Sequence, residues 1–151
     1  MKIPMSYLID LIQEKLSNGG EVILRTTGGS MNPFFRHNKT EVTLGKVTEP
    51  LKKYDVVLFQ SPKRNWVLHR ITEIVGDEIY TQGDALRLGE MTYQENIIAI
   101  VRKYSNGKKT ISCDSKWYLF RVKLWMFLKP LRRFLIMIYD FFHKGENENN
   151  G

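Results

Sequence analysis

The chain has few of the residues that staple a fold or hold a metal. A single cysteine, Cys113, stands among 151 residues, so no internal disulfide can form and the redox compartment stays open. The three histidines, His37, His69 and His143, are scattered, and no group of His, Cys and carboxylates has metal-site spacing. No metal and no other cofactor is expected. Long apolar runs are missing as well. The longest uncharged run near the carboxy terminus, Phe134 to Tyr139, falls well short of the roughly twenty residues that a bilayer-spanning helix requires. At the other end no basic start is followed by an apolar run, and Asp10, Glu14 and Lys15 interrupt the adjoining segment. Neither a signal peptide nor an amino-terminal membrane anchor is visible. The length suits one domain with a genuine core rather than two.

Acidic residues are in short supply, 16 against 23 Lys and Arg, for a net charge of +7. The imbalance is local. Residues 116, 121, 123, 129, 132, 133 and 144 are basic against the single acid Asp140, so this stretch carries +6 of the total. It also holds nine of the eighteen aromatics, among them Trp117, Trp125, Phe134, Phe141 and Phe142, interleaved with Leu, Ile and Met. Such a mixture fits a membrane surface or a partner groove, and its aliphatic content disfavours nucleic acid. Folding of the segment back onto the rest of the chain, with its aromatics as core, is the equal alternative.

What is present divides into three zones. Leu8, Leu11, Ile12 and Leu16 recur at helical spacing, and Asn18-Gly19-Gly20 ends the pattern, which predicts a short helix over 4 to 17. From Glu21 to Cys113 short apolar runs alternate with turn residues: 22 to 26, 41 to 47, 55 to 60, 66 to 75, 78 to 81, 97 to 104 and 108 to 112. Gly76-Asp77 and Asn106-Gly107 read as hairpin turns between such runs. The expected fold is mainly β over 1 to 113. A carboxy-terminal helical pair, parted by Pro130, is expected over 114 to 144, and a disordered tail over 145 to 151.

Two segments of the β zone carry candidate chemistry. Ser30 follows Gly28-Gly29 and precedes Met31-Asn32-Pro33, a place where the backbone can turn sharply and leave a side chain and amides exposed. His69 lies within an apolar strand whose alternation puts Val67, His69 and Ile71 on one face. A serine hydroxyl attacks an amide only when a base takes its proton, and neutral imidazole is suited to that task. Asp84, in Gly83-Asp84-Ala85, falls fifteen residues after His69, where an adjacent antiparallel strand could bring it beside the imidazole as an orienting group. The bland alternatives are a common glycine turn, a structural strand histidine and a turn-capping aspartate.

In order, these boxes resemble the type I signal peptidases, in particular their serine-histidine branch found in the endoplasmic reticulum, archaea and some bacteria. Ser30-Met31-Asn32-Pro33 is similar to the nucleophile box, Tyr54 to Phe59 to the Gly-Asp-apolar strand, His69-Arg70-Ile71 to the base box, and Gly83-Asp84-Ala85 to the Gly-Asp-Asn box. Ile97 to Val101 is similar to the closing strand, so the resemblance covers about residues 24 to 103. It implies the β-ribbon fold shared with the self-cleaving domains of SOS repressors, and a serine endopeptidase that removes leader or signal segments. It assigns Ser30, His69 and Asp84 as catalytic, Gly29, Met31 and Pro33 as oxyanion or cleft residues, and Arg70, Gly83 and Asp55 as supporting ones. The expected partner is an extended peptide or leader-bearing protein, with a membrane surface engaged through 116 to 144. Peripheral membrane association, on a side left open, is the expected location, with a cytoplasmic one as alternative. Tyr54 and Ala99 replace expected glycines, and His37-Asn38-Lys39-Thr40 stands where the family has Gly-Asp. A peptide- or partner-binding module without catalysis, on the same fold, is the competing reading.

Overall fold

The computed structural model describes residues 5–147. The chain divides into a unit ending at Ser115 and a second unit that begins at Lys116. The first unit opens with α1 (Met5–Ser17), whose Ile9, Ile12 and Leu16 are buried at helical spacing. Gly19 stops the helix in a left-handed conformation, φ 81°, while the Gly20 N–H returns to the Lys15 carbonyl at 3.0 Å.

The chain then forms eight strands: β1 (Val22–Arg25), β2 (Glu41–Gly45), β3 (Val56–Gln60), β4 (Trp66–Val75), β5 (Glu78–Gln82), β6 (Gly89–Tyr93), β7 (Ile97–Ser105) and β8 (Thr110–Ser112). They pair antiparallel in the order β1-β2-β7-β3-β4-β5-β6, with β8 on β7, as one curled half-barrel sheet. The fold is mainly β, as the strand texture predicts. β4 pairs with β5 across Gly76-Asp77, and Gly76 adopts φ 60°, the region that such a two-residue turn requires. β7 and β8 close around Asn106-Gly107. β6 has no counterpart among the expected strands, because Gly89 and Glu90 break its apolar alternation. It pairs along its whole length with β5.

Val57 and Phe59 of β3, Ile71 of β4, Ile79 of β5, and Ile97 and Ile100 of β7 form one buried cluster. Each such side chain removed from water contributes about 1.5–3 kcal/mol, and together they fix the inward face of the sheet. A register shift between Ile71 and Glu73 bends β4 over this cluster.

The second unit is one helical element, α2 (Lys116–Asn147), with Pro130 inside it. The helical pair expected on either side of Pro130 is present within this span: proline removes one backbone donor and parts the two segments without ending the element. Residues 145–147 continue α2, and the remainder of the expected disordered tail, 148–151, lies outside the described residues. No helix among the described residues is long and apolar enough to cross a membrane.

Candidate active site

The base box sits in the middle of the sheet. β4 is held by β3 on one side and β5 on the other, and its register sets Val57 opposite His69 and Phe59 opposite Val67. His69 therefore projects to the side of the core cluster, 3% exposed, with its ring edge-on to Phe59 at 6.2 Å. Burial pushes the imidazole pKa below the ordinary histidine value, and the nearby Glu90 and Asp84 charges only partly oppose that shift. The ring is thereby favoured in its neutral form, the one that can accept a proton.

The carboxylate beside His69 Nδ1 differs from the one expected. His69 Nδ1 is buried without a hydrogen-bond partner, and so is Glu90 Oε2. These two atoms lie 3.6 Å apart, just beyond hydrogen-bond reach. Asp84, the residue expected to orient the imidazole, makes no hydrogen bond to Nδ1. Both of its oxygens are taken by Arg70, whose Nε and Nη2 each donate at 2.8 Å, and both side chains are fully buried. A bidentate guanidinium is the stronger claimant for a buried carboxylate than a neutral imidazole. Arg70 also donates from Nη1 to the Tyr54 carbonyl at 2.9 Å and lies 5.1 Å over the Phe34 ring.

The nucleophile box follows β1 as a compact turn. The Gly28 N–H donates to His37 Nδ1 at 2.6 Å, Asn32 N–H to the Gly29 carbonyl at 3.2 Å, and Phe35 N–H to the Met31 carbonyl at 2.9 Å. Met31, Phe34 and Phe35 are buried beneath it, whereas Gly29 and Pro33 are exposed and Ser30 is half-buried. Apolar anchors on the inner side thus leave the serine at the surface. Among the described residues no hydrogen bond uses the N–H of Ser30 or of Met31.

Ser30 is tied through its backbone to the Gly83-Asp84-Ala85 box. Its carbonyl accepts the Ala85 N–H at 2.9 Å, and a Cβ placed on Gly83 would lie 2.6 Å from that same oxygen. Only glycine lets the two segments approach so closely. Asp84, between Gly83 and Ala85, then passes the connection to Arg70, the residue after His69. Asp55 holds the neighbouring turn. Its carboxylate accepts the Lys52 N–H at 2.9 Å, its carbonyl accepts the Ile71 N–H at 2.8 Å, and burial raises its pKa.

Ser30 and Met31 line an apolar cleft of about 330 Å³, walled by Leu8 and Ile12 of α1, Leu24 of β1 and Leu68 of β4. His69 is not part of that lining, and among the described residues Ser30 and His69 share no hydrogen bond. The structure thus brings Ser30 onto the Gly83–Ala85 turn, and Arg70 onto Asp84, while His69 faces Glu90. Glu90 is the residue that sequence reasoning missed, its signal being a lone carboxylate on the unrecognised strand β6. Among the described residues no group of three His, Cys, Asp or Glu could hold a metal ion. Neither a protein-family model nor a curated protein matches the chain.

Proposed function

We propose that the chain is a serine endopeptidase that removes leader or signal segments from a peptide or protein. The observation that carries this reading is the linkage of the two boxes: the Ala85 N–H holds the Ser30 carbonyl, and the adjoining Asp84 holds Arg70 beside His69. Three remote segments are thereby joined at Ser30 and at Arg70, the chain neighbour of His69.

In the proposed reaction His69 takes the Ser30 Oγ proton as the oxygen bonds to the scissile carbonyl carbon. The Ser30 and Met31 N–H groups supply donors for the oxyanion, since no described group uses them. The amine leaves with the proton from His69 as the C–N bond breaks. Water, deprotonated by the same imidazole, then attacks the acyl carbon, and the Ser30 Oγ–C bond breaks as His69 returns the proton to Oγ. Glu90 orients the ring and stabilises its charged form, and Asp84 is a positioning residue that acts through Arg70. The cleft beside Ser30 receives apolar side chains of the extended substrate.

The test is cleavage of an unbiased synthetic peptide library, read by mass spectrometry, for the parent and for Ser30→Ala and His69→Ala. The parent cuts at defined bonds and both variants lose most of that activity, because the pair acts as a unit. Equal cleavage by parent and variants rejects the reading. One observation favours the alternative of a binding module: Ser30 lines the cleft while His69 does not. Such a module gives the opposite pattern, in which library peptides bind the parent and Ser30→Ala alike and none is cut.

A further inference from the structure

The second unit carries a surface that the peptidase reading does not use. Along α2, Trp117, Leu124, Leu131 and Ile138 alternate with Phe120, Phe127, Phe134 and Phe141 at intervals of three and four residues. All eight side chains are exposed, from 36% at Ile138 to 77% at Phe141. The stripe extends about 36 Å at the usual rise of an α-helix. Phenylalanine recurs every seventh residue along it, so the pattern is a continuous seam rather than scattered surface apolars. Basic residues accompany it throughout, and the stretch from 116 to 144 carries +6.

We infer that this stripe lies flat in the headgroup region of an anionic membrane. Two properties select that occupant. An apolar face rich in Phe, Leu and Trp, with Lys and Arg distributed along the same helix, matches the division between acyl chains and phosphates at a bilayer surface. The long basic side chains can lay their stems on the apolar boundary and keep their charges among anionic headgroups. A second copy fits less well, because pairing two such helices brings +5 against +5 with only Asp140 and Glu146 available for complementary pairs. Spanning is excluded for the described helix, since Lys129, Arg132 and Arg133 interrupt it near its middle and no apolar window is long enough.

The test is flotation of the full chain with vesicles of phosphatidylcholine containing about one third phosphatidylserine, and with vesicles of phosphatidylcholine alone. The chain floats with the anionic vesicles at low salt and falls off at least about ten-fold on the neutral ones or at high salt. Phe120→Ser/Phe127→Ser/Phe134→Ser abolishes flotation. A charge variant leaves the stripe untouched: Lys116→Gln/Lys123→Gln/Arg133→Gln, with helix content checked by circular dichroism, lowers anionic binding about 100-fold, at roughly five-fold per lost charge. The proposal is overturned if the full chain stays with the unbound fraction, or if the charge variant floats like the parent. It is equally overturned if sedimentation shows a dimer that the Phe variant dissolves, which would assign the stripe to self-association.

Discussion

Arg70 grips both oxygens of Asp84 at 2.8 Å in a site where neither side chain meets solvent. Removing one partner leaves the other charged and buried, a situation that costs about 3–5 kcal/mol. Asp84→Ala is therefore expected to lower unfolding stability by about that amount in denaturant titrations. The double variant Asp84→Ala/Arg70→Met recovers part of the loss, because no buried charge is stranded. Equal stability of the single and double variants contradicts this account.

Gly83 is expected to tolerate no side chain. A methyl group there meets the Ser30 carbonyl at 2.6 Å, and the nearest relief is to push the serine off the Ala85 N–H. Gly83→Ala should lower kcat/KM about 100-fold, the cost of a displacement near 1 Å at a reacting group. Ala85→Ser, which keeps the N–H, should retain near-parent activity. Parent-like turnover by Gly83→Ala shows that the close approach does not set the serine.

Glu90→Gln separates the orienting role from the structural one. Loss of the charge near Nδ1 removes an influence that raises the His69 pKa, so the acid limb of the rate profile should move to lower pH. kcat should drop about 10²- to 10⁴-fold with KM little altered, as expected when a group assists only the charged imidazole of the transition state. An unchanged kcat assigns Glu90 to the sheet alone.

The pH dependence stems from burial. His69 is desolvated and its pKa lies below the ordinary value of 6.5, so activity should rise with pH through a midpoint below 6.5. Stability has the same sign. The unfolded chain binds the proton more readily, so the contribution of this group is present above pH 6.5 and fades as pH falls through the folded value. Titration of the His69 ring by NMR gives the midpoint directly. A midpoint above 6.5 contradicts the desolvation argument.

Much of the scaffold could be read from local signals. Trp66 to Val75 shows its strand in full because aromatic and β-branched residues dominate it, and Gly76-Asp77 names the turn at its end. Tyr54, which replaces an expected glycine, adopts φ 80°, and Asn38 adopts φ 57°. The backbone thus retains the left-handed turns that glycine would favour, which the residue types alone did not disclose. The site was legible as a set of boxes but not as a set of pairs. Asp84 lies close enough to influence both His69 and Arg70, and only three-dimensional packing decides that the guanidinium takes its two oxygens. Glu90 escaped because β6 lacks clean alternation, so its carboxylate had no strand to place it opposite Thr81 and near the histidine. In α2 the apolar content was plain from composition, whereas the exposure of its stripe required the fold.

The central claim, that His69 serves Ser30, is tested most directly without any substrate. Ser30→Cys places a thiol at the nucleophile position, and its alkylation by iodoacetamide, resolved from Cys113 by peptide mapping, reports thiolate formation against pH. With His69 intact the introduced thiol should react at least about ten-fold faster near neutral pH than in the His69→Ala background, because a neighbouring imidazole accepts its proton. Superimposed profiles in the two backgrounds contradict the account.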